Sequence, residues 1–291
     1  MIELLACFNV NNSIVLFFKI WGDDKVKLNQ NGIKPEDKKM AIKVRNYLIA
    51  GNRVIGDPGE GLKQTLAKLE EEKANKAYGI TDWVMKDAEL ESQISKTKAG
   101  IDGEIKLCEY LATLIKYDDK LDGLIAFASL SYELENNNKD YIPDTDTLLV
   151  YGNHLLVIDA KNIKTKVGQT LMLLDGVVVD ADKGKPILEV HPSTHIWTRV
   201  MEKAGIPIES IDGYVCIVND TEIEIMRTDE WYESHTKLIH ISELKGILEE
   251  WIEGKNNTAS LKLLTEIAKA QIKEKKEISF DVDSIKRRFN I

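Results

Sequence analysis

Asp159 and Lys161 stand two residues apart at the end of an apolar run, Leu155 to Ile158, and Asp146 stands just ahead of another, Leu148 to Val150. Strand side chains alternate, so a spacing of two puts the carboxylate and the ammonium on one face. Gly152-Asn153 between the runs tolerates the positive backbone angles of a short turn, which predicts a hairpin. That hairpin returns the start of its first strand to the end of its second, so Asp146 approaches Asp159 across thirteen positions. Two carboxylates held close repel each other and lose hydration unless a cation or a proton compensates. A hard divalent ion is the simplest compensation, and an oxygen-only donor set with no Cys or His cluster nearby favours Mg²⁺ or Mn²⁺ over zinc. Such an ion polarises a phosphodiester and activates a bound water, while Lys161 orients that water or stabilises developing negative charge. Taken alone, Asp159 and Lys161 are better read as an ordinary surface ion pair at a strand end, which contributes little.

The elements that must position these groups are legible around them. Leu155 to Ile158 does not alternate, so both faces should be buried, as in a central strand. Upstream, Gly100-Ile101-Asp102-Gly103-Glu104 opens a segment with apolar residues at Ile105, Leu107, Cys108, Leu111, Leu114 and Ile115, the spacing of an amphipathic helix. Glu104 is then expected in the first helical turn. There it is either a favourable charge at the positive end of the helix dipole or a third acid for a metal site.

With this stretch included, the chain resembles the nuclease-related domain (NERD) family, on Gly103-Glu104 at a helix start, Asp146 opening one strand, and Asp159-Ala160-Lys161-Asn162 ending the next. That family resembles a branch of the PD-(D/E)XK nuclease superfamily, and the resemblance covers roughly residues 98 to 227. It implies an α/β, restriction-endonuclease-like core, with a helix packed on a mixed β-sheet, and metal-dependent hydrolysis of nucleic acid, DNA ahead of RNA. It also implies Asp146 and Asp159 as metal ligands, Lys161 as the catalytic lysine and Glu104 as the helix-borne acid. Asp144, two residues before Asp146, is a reserve ligand. Two departures stand out: the family more often has Glu where Asp159 is, and its Asn-Pro-x-x-Gln segment is present only as His191-Pro192-Ser193-Thr194-His195. An alternative from a different class is a catalytically inactive module of the same fold that binds nucleic acid or a protein partner.

Length, at 291 residues, allows one to two domains, and 43% apolar residues with six prolines suit a globular protein. Cys7, Cys108 and Cys216 are scattered in apolar settings, which suits buried thiols in a reducing compartment, the cytoplasm by default. The net charge of −9 is unevenly spread: residues 25–53 carry eight Lys or Arg against two acids, residues 255–291 nine against five, and residues 54–254 hold −17. Contact with a polyanion would rest on those basic flanks, on Lys161, Lys164 and Lys166, and on bound metal. Taken one at a time, the flanks read rather as solvated helix faces. A homodimer would suit a duplex-cutting enzyme, although nothing in the sequence demands one.

Met1 to Trp21 is apolar but interrupted by Glu3, Lys19 and several Asn, too broken to span a bilayer or to serve as a secretory signal, and it reads as a hairpin around Asn11-Asn12. Helices are expected over 35–50, 59–77, 80–97, 192–204, 242–252 and 259–276. Gly56 to Thr65 invites comparison with a phosphate-binding loop, but Leu62-Lys63 stands where Lys-Ser/Thr is required, so it reads as a turn and helix start. Asp175-Gly176 between Gln169–Leu174 and Val177–Asp180 predicts a second hairpin that continues the sheet outward, with Gln169 either orienting substrate or simply lying on a strand surface. Tyr214–Val218 and Ile223–Met226 are expected as final strands. His191 and His195 have metal-compatible helical spacing but lack the accompanying Glu, and ordinary polar roles suit them better. Lys286-Arg287-Arg288-Phe289 is a nucleic-acid contact or a solvated end. The expected organisation is a hairpin and helical region over 1–97, the nuclease-like core over 98–235 and a helical tail over 236–291.

Overall fold

The structure, a computed structural model, describes residues 2–10, 13–20, 27–75, 80–131, 144–190, 193–233 and 236–270. Strands β1 (Ile2–Val10) and β2 (Ser13–Ile20) pair antiparallel as the expected hairpin; Asn11-Asn12 and Trp21 lie outside the described residues. There follow β3 (Lys27–Asn29), α1 (Lys38–Ile49), β4 (Val54–Ile55), α2 (Glu60–Asn75) and α3 (Ile80–Tyr117). The middle of the chain gives β5 (Ile125–Ser131), β6 (Asp144–Tyr151), β7 (His154–Lys161), β8 (Gln169–Leu174), β9 (Val177–Asp180), β10 (Lys185–Glu189) and α4 (Thr194–Ala204). It closes with β11 (Ser210–Ile217), β12 (Ile223–Ile225), α5 (Asp229–Glu233), β13 (Thr236–His240), α6 (Leu244–Ile252), β14 (Thr258–Ser260) and α7 (Leu261–Lys269).

The central sheet has the order β13-β11-β7-β6-β5-β4 and is mixed: β5, β6 and β7 form an antiparallel meander, and β11 returns parallel to β7. Its inner strands carry uninterrupted apolar runs because helices cover both faces. Leu148, Val150, Leu155 and Val157 pack with α1, α4 and α7, whereas Leu149, Leu156, Ile158 and Ala160 pack with α3 and α6. The chain is therefore an α/β protein with a central strand β7 buried on both faces, as its pattern predicts. Among the described residues, no helix is long and apolar enough to cross a membrane.

Three expectations are corrected. First, α3 is one continuous helix of 38 residues, not two helices meeting near residue 98, so Glu104 lies in a helix interior and not in a first turn. Glycines inside a helix normally cost about 1 kcal/mol each, which is why Gly100 and Gly103 read as a boundary. They serve close packing instead: a Cβ on Gly103 would stand 2.8 Å from Asn162 Cβ and 3.0 Å from Val218 Cγ2, and one on Gly100 would stand 2.7 Å from Leu62 Cδ1. Second, β8 and β9 do not extend the central sheet. They join β10 and β12 in a separate four-stranded sheet, whose Leu171 and Val178 pack face-on against Val215, Ile217 and Leu238. Burying one apolar face against another offers more than edge pairing would. Third, β12 belongs to this second sheet, parallel to β8.

The boundary expected at residues 97 and 98 falls inside α3, and β4 and β13, from either side of 98–235, complete the central sheet. The helix starts are otherwise close to expectation. Helix α1 follows a short turn opened by Pro35, α2 begins at Glu60 after the glycine-rich turn, and α4 ends at Gly205 in a left-handed cap. His191, Pro192, the tail of the last expected helix and Lys286 to Phe289 lie outside the described residues.

Candidate active site

The site is built where β6 and β7 part. Their backbone pairing runs from Tyr151↔His154 down to Thr147↔Ile158. Beyond that pair each strand stays with its outer neighbour, β6 with β5 as far as Asp144↔Ser131 and β7 with β11 as far as Lys161↔Ile217. The fork leaves the Ala160 N–H without a backbone acceptor across the gap, and the Asp146 carboxylate takes it at 2.8 Å. Asp146 and Asp159 would be the next cross-strand pair, and the Asp159 carboxyl lies near enough to raise that of Asp146. Lys161, two residues on from Asp159, closes an ion pair onto it.

Helix α3 supplies the remaining acid. The absence of a Cβ at Gly103 lets the helix lie against Asn162 and Val218, and the Asn162 side chain fastens it by donating to the Ala99 carbonyl at 2.9 Å. Glu104, one residue on, is buried, with 6% of its surface exposed. Its Oε2 accepts the Gly59 N–H at 3.0 Å and the Ser129 hydroxyl at 3.4 Å. Ser129 lies in β5 between the pairs Ala128↔Thr147 and Leu130↔Thr145, with the register kept, and takes a left-handed φ of 51°. Its hydroxyl also accepts the Glu60 N–H at 3.2 Å. The start of α2, Ser129 of β5 and the middle of α3 are thereby tied to one carboxylate.

The electrostatics follow from crowding. Burial pushes the Glu104 carboxyl up to about 7, against the lowering effects of the Gly59 N–H, Lys161 and the Ser129 hydroxyl. Asp146 is held well above the ordinary carboxylate range, by burial first and then by Asp159 and Glu104. Asp144 is raised by burial. Lys161 would be lowered by its burial, but Asp159, Asp146 and Glu104 outweigh that and keep it charged. Burial and crowding thus displace three carboxyls in one direction around one lysine, an arrangement that costs stability unless a proton or a cation compensates.

A cavity of about 500 Å³ opens onto these groups, lined by Glu104, Asp144, Asp146 and Lys161, by Ser129, and by Leu62, Lys96, Ile163 and Leu188 at its walls. All four residues named from the sequence, Glu104, Asp146, Asp159 and Lys161, converge here, and the reserve Asp144 lines the same space. The donor chemistry fits a hard divalent cation: the neighbouring carboxylates of Asp146 and Asp159 offer oxygen atoms only, and a bound cation would relieve their repulsion. The fit is a pair and not a triad. Glu104 is turned to Gly59 and Ser129, and among the described residues no group of three or more His, Cys, Asp or Glu stands ready to hold a metal.

Other sequence candidates take structural roles. Gln169 donates to Asp180 at 2.8 Å and accepts the Lys166 N–H at 2.9 Å, pinning the second hairpin. His195 is exposed on α4. Cys108 and Cys216 are buried free thiols, both pushed up by burial. Ser129, Gly59 and Lys96 were not foreseen as site residues: a serine in an apolar strand carries no mark of the left-handed backbone angle it adopts.

No family model matches the chain, and no curated protein matches it. Among solved structures, a crystal structure of protein VC1899 from Vibrio cholerae is similar with 12% identity and a TM-score of 0.32, covering 78% of this chain and 59% of that one. The chain thus spans less than two thirds of that protein, and so slight a likeness says nothing of activity.

Proposed function

We propose that the chain is a metal-dependent nuclease with a PD-(D/E)XK-like core related to the nuclease-related domain family, acting on nucleic acid and on DNA ahead of RNA. The observation that carries this reading is the forked strand pair. It ties Asp146 to the Ala160 N–H and pairs Asp159 with Lys161, while Asp146 and Lys161 line one cavity with Glu104. The topology is compatible with that reading, since helix α3 packs on a mixed sheet that holds the meander β5-β6-β7 and the parallel return β11.

Asp146 and Asp159 would hold Mg²⁺ or Mn²⁺. When bound, such an ion polarises the phosphodiester and makes its bound water a stronger nucleophile. The Lys161 ammonium, kept charged by its three acidic neighbours, orients the nucleophile and meets the charge developing on the phosphorus oxygens. Glu104, with its carboxyl near 7, takes or gives a proton at neutral pH. The ion pair of Lys161 is with Asp159 and not with Asp146, and the cavity in front of Asp146 stays open. This favours a working site over a closed, inactive module.

The test is cleavage of labelled single- and double-stranded DNA and RNA in Mg²⁺, Mn²⁺ or chelator, with Asp159→Asn and Lys161→Met beside the wild type and all three checked for folding. Metal-dependent cutting that falls at least about 100-fold in both variants is expected. Wild type that cuts none of these substrates, or variants that cut as well as it does, would sink the proposal and leave the binding module.

A further inference from the structure

We infer that the substrate enters this site as an unpaired strand, with a base or sugar lodged against an apolar wall, and not as an intact duplex. The inference rests on the nuclease reading and deepens it. Leu62 of α2, Ile163 beyond the end of β7 and Leu188 of β10 line the same cavity as the carboxylates. All three are half-buried, packed into the protein on one side and open to the cavity on the other. A phosphate or a duplex backbone has no use for such a surface. An unstacked base does, because its apolar faces are hidden in a duplex and free in a single strand.

Size and charge point the same way. A space of about 500 Å³ lies within the roughly 300–1,000 Å³ range of small-ligand pockets. It takes about one or two nucleotide units, whereas a base-paired duplex is too broad to enter it. Proteins that grip duplexes neutralise several phosphates with Lys and Arg. Among the described residues the cavity offers Lys96 and Lys161 against Glu104, Asp144 and Asp146, and Lys161 is already paired with Asp159. Lys164 and Lys166, exposed just beyond β7, can follow a strand leaving the site but are too few to track a double helix.

The experiment is fluorescence anisotropy with the full chain and Ca²⁺ in place of Mg²⁺, using end-labelled single-stranded DNA, the same sequence as a duplex, and a single strand whose central nucleotides are abasic. The single strand is expected to bind at least about tenfold tighter than the duplex and about tenfold tighter than the abasic strand, in line with the worth of base packing. Leu62→Ala and Leu188→Ala should each weaken single-strand binding about threefold and leave duplex binding unchanged. Duplex bound as tightly as the single strand, or an abasic strand bound as tightly as its parent, overturns the inference, and so does no binding to either. Tight single-strand binding without cutting in Mg²⁺ or Mn²⁺ upholds the inference and removes the hydrolytic reading. Preferred cutting of duplex does the reverse.

Discussion

The two ends of the β6–β7 hairpin are built from similar materials and differ in what is left unsettled. At the turn, Gly152 adopts φ 59°, and the Asn153 carbonyl accepts the Glu209 N–H at 3.0 Å. His154 is held by Ser210 at Nδ1 and by Glu209 at Nε2. Each polar group there has a partner of suitable chemistry, and the end is closed. At the fork, the same two strands separate, and Asp146, Asp159 and Glu104 crowd one lysine beside an open cavity. Polar groups arranged for stability are matched pairwise, whereas groups arranged for chemistry are kept in surplus of one sign.

The largest contrast is expected from single substitutions at the two ends. Asp146→Asn should abolish cleavage, a loss of at least about 100-fold. It also removes one of three mutually repelling carboxyls, so it should leave stability unchanged or raise it by about 1 kcal/mol. His154→Ala should do the opposite, costing about 1–2 kcal/mol through lost hydrogen bonds in a buried setting with activity per folded molecule intact. Urea denaturation beside a cleavage assay measures both. An Asp146→Asn chain that unfolds more readily than the wild type would show that the fork is a structural device after all.

Glycines sharpen the comparison at the level of the backbone. A Cβ at Gly152 would stand 2.0 Å from the Asn256 carbonyl oxygen in a left-handed conformation, and neither backbone can yield cheaply. A Cβ at Gly103 would meet mainly side chains, Asn162 and Val218. Gly152→Ala is therefore expected to cost more, roughly 3 kcal/mol or above, and Gly103→Ala about 1–3 kcal/mol. Only Gly103→Ala, by pushing α3 away from β7 and carrying Glu104 with it, should lower cleavage out of proportion to stability. Thermal melts and cleavage rates on the two variants would separate these effects, and equal loss of activity per folded molecule would break the distinction.

The same two glycines show how far the sequence could be read. Gly152-Asn153 is a local signal, since a tight turn is decided by its own residues, and the hairpin that brings Asp146 to Asp159 followed from it. Asp175-Gly176 was equally legible, and both residues take positive φ. Yet whether that hairpin joins the central sheet or packs across it depends on which apolar face it meets, and its own residues do not state this. Gly103 misled because a helix-interior glycine and a helix boundary look alike until the neighbour that needs the space is known. Strand β5, absent from the sequence expectation, brings Ser129 into the site through a left-handed backbone angle that its own sequence does not mark. Chemistry-bearing residues near one turn could be assembled from spacing, whereas Gly59 and Ser129, the groups that hold Glu104, come from two distant segments.

The smallest effect concerns pH, and there the two ends should have opposite signs. Glu104 has a folded pKa near 7 against an ordinary 4.5, so between those values the folded state keeps a proton that the unfolded chain releases. Stability from this group is present below about 4.5 and is lost as pH rises through 7. His154 is displaced the other way: burial first, then Lys255, lower it from 6.5 despite Glu209 and Asp212. The folded state therefore resists its protonation, and its contribution is present above 6.5 and lost as pH falls through the lowered value. Glu104→Gln should flatten the decline in stability between pH 4.5 and 7, and His154→Asn should flatten the loss on the acid side of 6.5. Midpoints of urea denaturation across pH 4.5 to 8 for wild type and both variants provide the check. If Glu104→Gln left the decline unchanged, the strain at the fork would belong to Asp146 and Asp159 alone, and Glu104 would be a settled structural acid like those at the closed end.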